Sequence, residues 1–224
     1  MKHKPRLFRG ALASTALASA LLGCPAVAQS LNINADLIAA ARAGSEAGVR
    51  AAIAQGASPD SRNRLGDTPL NLASKNGKTA MAGLLIESGA DVNLPSLAGV
   101  TPLMSASFGG HIDIVRLLLK AKADLKAVDR IKKSAMVYAA GNGQGAAVQE
   151  LLAAGVDVNQ RYDNELTALM WAAGYGHAET AKLLLARGAD PALRDNRGMT
   201  ALMVAEEQGK KPVAELLRVS GAKP

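Results

Sequence analysis

The chain repeats itself about every 33 residues, and this period constrains its fold more than any other feature of the sequence. The segment GDTPLNLASKNGKTAMAGLLIESGADVN begins at Gly66, and GVTPLMSASFGGHIDIVRLLLKAKADLK begins at Gly99. Related segments begin at Lys132, Glu165 and Gly198. With a more divergent stretch before Gly66, we therefore predict six structural units, at about 33–65, 66–98, 99–131, 132–164, 165–197 and 198–222.

Each unit carries the signals of two short helices. A threonine precedes the first helix in four units and is suited to cap it, and proline follows it at Pro69 and Pro102. A central glycine ends that helix, and the second helix follows, as in HIDIVRLLLK, with its apolar residues on one face. A further glycine, such as Gly89 or Gly155, ends the second helix in the left-handed conformation. Helices this short are marginal alone, so neighbouring units must stack.

Three departures from the pattern predict local effects. Lys122 stands where other units have glycine, so unit three should end at a cost of about 1 kcal/mol. Ser134 begins a Ser-Ala-Met segment in place of Thr-Pro-Leu, which predicts a weaker start for unit four. Arg218 replaces an apolar residue in the last unit, as expected of a capping helix that faces water.

A repeat of this length with Thr-Pro-Leu, a central Gly-His and a closing Gly-Ala-Asp resembles the ankyrin repeat. The resemblance covers the whole chain after residue 28. It implies an all-α solenoid of stacked helix-turn-helix units joined by β-hairpin loops. It also implies that His111 and His177, which follow turn glycines, form hydrogen bonds within the turn region. Proteins of this family generally bind other proteins through the hairpin tips and the exposed side of the first helix.

That binding mode assigns candidate partner-contacting residues. Phe108 and Tyr175 stand out among few aromatic residues, and each either anchors a partner or shields a neighbouring repeat. Tyr138 and Trp171 are expected to pack between repeats with an edge on the concave face. The predicted partner-binding residues are Arg64, Asp67, Lys75, Leu97, Val100, Phe108, Arg130, Lys133, Asn142, Asn164, Leu166, Tyr175, Arg197 and Met199.

Residues 1–28 resemble an export signal. A basic start leads into the apolar stretch ALASTALASALLG, and small residues precede a predicted cleavage site before Gln29. We therefore expect a periplasmic protein. Two alternatives stay open: lipidation of Cys24, in a segment that resembles a lipobox, would anchor the chain to a membrane, and a secreted effector would bind a foreign protein. Exported bacterial ankyrin proteins are associated with stress protection and toxin neutralisation, and the resemblance permits either role.

Charge and motifs argue against other classes of function. The formal charge is +7, but the first ten residues hold four basic and no acidic residues, which leaves 22 basic against 19 acidic residues, or about +3. This is too little to favour nucleic acid. Asn76-Gly77-Lys78-Thr79 lacks the earlier glycine of a phosphate-binding loop. The sequence predicts no catalytic residue, no metal, no cofactor and a monomer.

Overall fold

The computed structural model describes residues 25–223, with side chains from residue 33 onwards, and its regular elements in this range are all helical. The basic start and Cys24 lie outside the described residues, and the predicted cleavage site lies in the first turns of helix α1. The helices form six consecutive pairs: α1 (Pro25–Ala43) and α2 (Glu46–Ala54), α3 (Pro69–Lys75) and α4 (Thr79–Glu87), α5 (Pro102–Gly109) and α6 (Ile112–Lys120), α7 (Ala135–Gly141) and α8 (Gly145–Ala153), α9 (Ala168–Tyr175) and α10 (Ala178–Ala186), and α11 (Ala201–Glu207) and α12 (Lys211–Val219).

Side-chain oxygens cap the first helices of units two to six. Thr68 accepts a hydrogen bond from the Asn71 amide at 3.1 Å, and the threonines of units three, five and six accept equivalent bonds. Ser134 does the same for the amide of Val137 at 3.3 Å. The predicted weakness at the start of unit four is therefore limited to the missing proline, because serine caps a helix as well as threonine does.

The residues that end the second helices adopt the left-handed conformation. Gly89 has φ 86° and Gly155 has φ 102°. Lys122 has φ 62° at the equivalent position, as the sequence predicted. A side chain with a Cβ atom is strained in this region, so unit three carries a local cost that the other units avoid.

The units stack so that first helices contact first helices and second helices contact second helices. One column of buried side chains runs through all six first helices, with one member at the same position of each unit: Leu37, Leu70, Leu103, Met136, Leu169 and Leu202. Burying each such side chain stabilises the fold by about 2 kcal/mol. A parallel column of alanines, from Ala73 to Ala205, allows the helices to approach closely.

Five loops of equal length join the units: L1 (residues 55–68), L2 (88–101), L3 (121–134), L4 (154–167) and L5 (187–200). Each closes on itself through a backbone hydrogen bond, such as Asn63 N–H to Asp67 O at 3.0 Å in L1. The prediction of β-hairpin loops is wrong, because no residue of 25–223 forms a β-strand. Each loop tip is a tight turn of about five residues, such as Asn63 to Asp67 in L1, which is too short for a ladder of strand pairs to develop.

The two histidines link units rather than stabilise their own turns. His177 Nε2 lies 3.0 Å from the carbonyl oxygen of Gly141, and His111 Nε2 lies 3.3 Å from that of Lys75. Both carbonyls belong to the end of the preceding unit's first helix, where the helix leaves its acceptors unused. The prediction that these histidines bond within the turn region is corrected accordingly.

Candidate protein-binding surface

The loop tips and the exposed sides of the first helices together form one surface, which we call the inner face. Across units two to four it holds a groove of about 670 Å³, the front groove. Six of the predicted partner-binding residues line the front groove: Asp67, Lys75, Leu97, Val100, Phe108 and Arg130. The structure therefore brings together predicted residues from two successive units.

The front groove exposes large apolar side chains. The exposed fractions are 68% for Leu65, 54% for Leu97, 63% for Ile131 and 53% for Phe108. Val100 lines the same groove but is half-buried against the core. Soluble proteins rarely expose several such side chains side by side unless the surface binds something.

An aromatic cluster continues this surface into units four and five. The rings of Phe108 and Tyr138 meet edge to face with centroids 5.9 Å apart, and Trp171 and Tyr175 stack with centroids 5.9 Å apart. Lys133 Nζ lies between the two pairs, 4.9 Å from the Trp171 centroid and 5.8 Å from that of Tyr138. Phe108 and Tyr175 are half exposed, and Tyr138 and Trp171 are half-buried between repeats.

Tyr138 is fixed by a buried carboxylate beneath the cluster. Its hydroxyl donates to Asp129 Oδ2 at 2.5 Å, and Asp129 Oδ1 accepts from the amides of Ile131 and Lys133, each at 2.9 Å. Burial raises the pKa of Tyr138 most, and the hydrogen bond and charge of Asp129 raise it further. The ring is thus a neutral, oriented element of the surface.

The acidic and the basic residues around the front groove differ in how far other residues of the protein already bind them. Its two acidic residues are engaged, since Asp129 is buried and Asp67 Oδ2 accepts from Asn63 Nδ2 at 3.0 Å. Lys75 and Arg130 are exposed and form no ion pair with any described residue, and the same holds for Arg64 beside the groove. Three exposed cations thus stand against the half-buried carboxylate of Asp67, so the balance of accessible charge at the groove is positive.

A second, smaller groove of about 430 Å³ lies on units five and six. Leu166, Tyr175 and Arg197 are the predicted residues that line it. Leu166 is half-buried against the core, as Val100 is, so these two predicted partner-binding residues present only part of their side chains to a partner. Arg197 is paired with Asp195 at 3.0 Å and with Glu207 at 3.4 Å.

Three other predicted residues line neither groove and take part in local structure. Asn142 donates from Nδ2 to the carbonyl of Tyr138 at 2.9 Å, and Asn164 accepts from Asn196 Nδ2 at 3.1 Å. The Met199 amide donates to Asp195 Oδ1 at 2.9 Å. Their use as partner contacts stays a prediction without a groove to support it.

Sequence reasoning missed Asp129 as a residue that orients the aromatic cluster. A signal for it exists, because Asn63 and Asp195 stand at the equivalent position two units before it and two units after it. Asn63 Oδ1 accepts from the amides of Leu65 and Asp67, as Asp195 Oδ1 accepts from those of Arg197 and Met199. The side-chain Oδ1 of Asn or Asp at this position therefore anchors the loop tip.

Other kinds of site find little support in the part of the chain that the structure describes. No group of three or more His, Cys, Asp or Glu side chains there is placed to hold a metal ion. Among the helices of residues 25–223, none has both the length and the apolar character needed to cross a bilayer.

Comparison with known proteins agrees with this architecture. The family model described as "Ankyrin repeats (3 copies)" matches residues 37–129 and 136–224. The crystal structure of EF0377, an ankyrin repeat protein, superimposes with a TM-score of 0.74 at 31% sequence identity and covers 83% of this chain and 97% of its own. The comparison with curated proteins gives no match. Ankyrin repeats generally mediate protein–protein interaction and are typically non-enzymatic. The chain belongs to the ankyrin-repeat family.

Proposed function

We propose that this protein is a scaffold that captures one partner protein on its inner face. The front groove carries the proposal, because it exposes Leu65, Leu97, Phe108 and Ile131 together in a space of about 670 Å³. Apolar and aromatic side chains clustered in this way supply most of the binding energy at protein interfaces.

The chemistry of the groove specifies the partner segment. Apolar side chains would fill the space between Leu97, Phe108 and Ile131, and acidic side chains would meet Lys75 and Arg130. The chain's own N-terminal segment does not fit this description, because Lys2, Lys4, Arg6 and Arg9 make it basic. A partner with acidic residues beside apolar ones is therefore the favoured occupant.

Photocrosslinking in cells tests the proposal. A photoreactive amino acid replaces Ile131, in the groove, or Val219, which is 82% exposed outside it. We expect one protein to crosslink from position 131 and not from position 219. The purified partner should then bind Phe108→Ala/Ile131→Ala at least about tenfold more weakly than Val219→Ala. Equal binding by both variants, or equal crosslinking from both positions, would contradict the proposal.

We further propose that capture takes place outside the cytoplasm, in the periplasm. The basic and apolar N-terminal segment supports this location, with lipid anchoring through Cys24 and secretion as alternatives. The mass of the mature chain separates the first two, because cleavage before Gln29 and lipidation at Cys24 leave different N-termini. A chain that keeps residue 1 and stays in the cytoplasm would contradict export. Fractionation of the culture medium tests secretion.

A further inference from the structure

Backbone N–H groups of one loop donate hydrogen bonds to the preceding loop everywhere in the described stack except between L3 and L4. L1 and L2 are joined by Asp91 N–H to Asp60 Oδ1 at 2.9 Å and Leu97 N–H to Leu65 O at 3.0 Å. L2 with L3, and L4 with L5, have equivalent pairs of bonds. No backbone N–H of L3 or L4 donates across the L3–L4 boundary, which we call the seam.

A lysine accounts for the first missing bond. Asp60, Asn93 and Asn159 each accept from a backbone amide of the next loop. Lys126 stands at the equivalent position in L3 and has no acceptor oxygen in its side chain. The amide of Asp157 consequently has no acceptor among the described residues.

The shape of L4 accounts for the second missing bond. Asn164 and Glu165 are both left-handed, with φ 57° and 61°, and Asp163–Glu165 forms a short 3-10 turn. No other loop tip has two consecutive residues of this kind in the described range. The amide of Asp163 therefore does not reach the carbonyl of Ile131, as the corresponding amides of L2, L3 and L5 reach theirs.

A cavity of about 590 Å³ occupies the seam, and all the residues that line it come from L3 and L4. Its apolar wall consists of Leu125, Val128, Val156 and Tyr162. Burial raises the pKa of Tyr162 to about 12, against a smaller lowering by the nearby Ser134 hydroxyl, so the ring is neutral at physiological pH. The volume falls within the range of small-molecule sites.

Charged side chains of both signs line the cavity. Lys126 and Lys132 line it, and neither forms an ion pair with a described residue. Asp157 and Asp163 also line it and keep their negative charge, and one oxygen of each already accepts a hydrogen bond, from Asn159 N–H and Asn164 Nδ2 respectively. The remaining cation, Arg161, is paired with Glu165 at 2.8 Å.

Both lysines stand at positions where the neighbouring units have residues that suit the loop structure better. Lys132 has φ 63° where the units before it have Gly66 and Gly99. Lys126 removes an inter-loop hydrogen bond. Strain retained around a cavity is typical of binding sites, where the fold tolerates a local cost for a functional group.

We propose that the seam cavity binds a small organic anion with an apolar body. The acidic group of the ligand would form ion pairs with Lys126 and Lys132 and accept a hydrogen bond from the Asp157 N–H. The apolar body of the ligand would contact Leu125, Val128 and Val156. The cavity shares no lining residue with the front groove, and the proposal does not depend on the proposed partner-binding function.

Fluorescence titration of the full-length chain tests this site. The probe is anilinonaphthalene sulfonate, an aromatic anion, and the comparison compound is phenylnaphthylamine, which has the same rings without the sulfonate. The test variant is Lys126→Asn/Lys132→Gly, which restores the residues of the neighbouring units. The control variant is Lys120→Gln/Lys211→Gln, which removes two exposed charges elsewhere.

The test variant should bind the sulfonate at least about tenfold more weakly, while its melting temperature rises by about 3 °C because the strain and the free amide are relieved. Greater stability excludes misfolding as the cause of weaker binding. The control variant and Phe108→Ala/Ile131→Ala should bind like the wild type. Unchanged affinity in the test variant, equal affinity for phenylnaphthylamine, or loss of binding in the Phe108→Ala/Ile131→Ala variant would overturn the proposal.

Discussion

The ammonium nitrogen of Lys133 lies 4.9 Å from the ring centroid of Trp171, so a cation–π contact joins the end of L3 to the first helix of the next unit. Trp171 is the only tryptophan of the chain. Its fluorescence therefore reports on the inner face of units four and five.

Replacing Lys133 with methionine, which keeps most of the stem and removes the charge, should destabilise the protein by about 0.5–1 kcal/mol. Urea unfolding followed by Trp171 fluorescence measures this, and the emission of the folded state should shift as well. Lys75→Met is the matched control, because Lys75 is exposed on the same face and its ammonium forms no cation–π contact among the described residues. Equal effects of the two substitutions would argue against the contact.

Replacing Lys122 with glycine should stabilise the protein by about 1 kcal/mol, because Lys122 has φ 62°. Thermal melting measures the gain, and Lys122→Ala serves as the control because alanine keeps the Cβ atom that causes the strain. If alanine stabilises as much as glycine, the gain comes from removing the charge or the long side chain.

Two glycines with similar backbone angles separate strain from crowding. Gly143 has φ 71°, and a Cβ atom there would lie 2.6 Å from His177 Nδ1. Gly188 has φ 86°, with nothing within 4 Å of such an atom. Gly188→Ala should cost about 1 kcal/mol, and Gly143→Ala should cost about 1–2 kcal/mol more, since it also displaces the histidine that bonds Gly141. Urea unfolding of both variants gives the difference, and equal losses would show that the histidine moves at no cost.

Asp195, in loop L5, should make the free energy of unfolding depend on pH in the acid range. Burial alone would raise the pKa of Asp195, but hydrogen bonds from the Met199 amide and from the side chain and amide of Arg197 lower it below its usual 3.8. As the pH falls, Asp195 is therefore protonated in the unfolded chain before it is protonated in the folded chain. Its contribution to the free energy of unfolding is present above about pH 4 and is lost as the pH falls through the folded-state pKa.

Asn is the informative replacement for Asp195, because Asn63 already accepts the two equivalent loop amides. Asp195→Asn should cost about 1 kcal/mol at pH 7, through loss of the pair with the half-exposed Arg197. The difference from the wild type should shrink below about pH 4 in unfolding measurements across pH. A difference that stays constant with pH would exclude the titration of Asp195 as its source.

The repeat made most of the fold predictable. The capping threonines, the buried column from Leu37 to Leu202 and the left-handed backbone at Lys122 all follow from position within the repeating unit. The period could not show how units bond to one another. The histidine bonds to the preceding unit, such as His177 to Gly141, became visible only in three dimensions.

The candidate surfaces were predictable to a smaller extent. Exposure of Phe108 and Leu97 follows from their place in the unit, whereas the half-burial of Val100 and Leu166 results from their packing against the core in the folded stack. The seam was not predicted. It arises because Lys126 fails to accept one bond and Asn164 turns the next loop away from another, and the two residues are far apart in the sequence.

The missing bonds between L3 and L4 also bear on how the array unfolds. The stability of a repeat array is close to a sum of unit energies and nearest-neighbour couplings. A single weaker coupling in the middle of such a chain divides it into two cooperative blocks, one on each side. Heat or denaturant should therefore loosen this array from within as well as from its ends, and a molecule bound at the junction would restore the cooperativity of the whole.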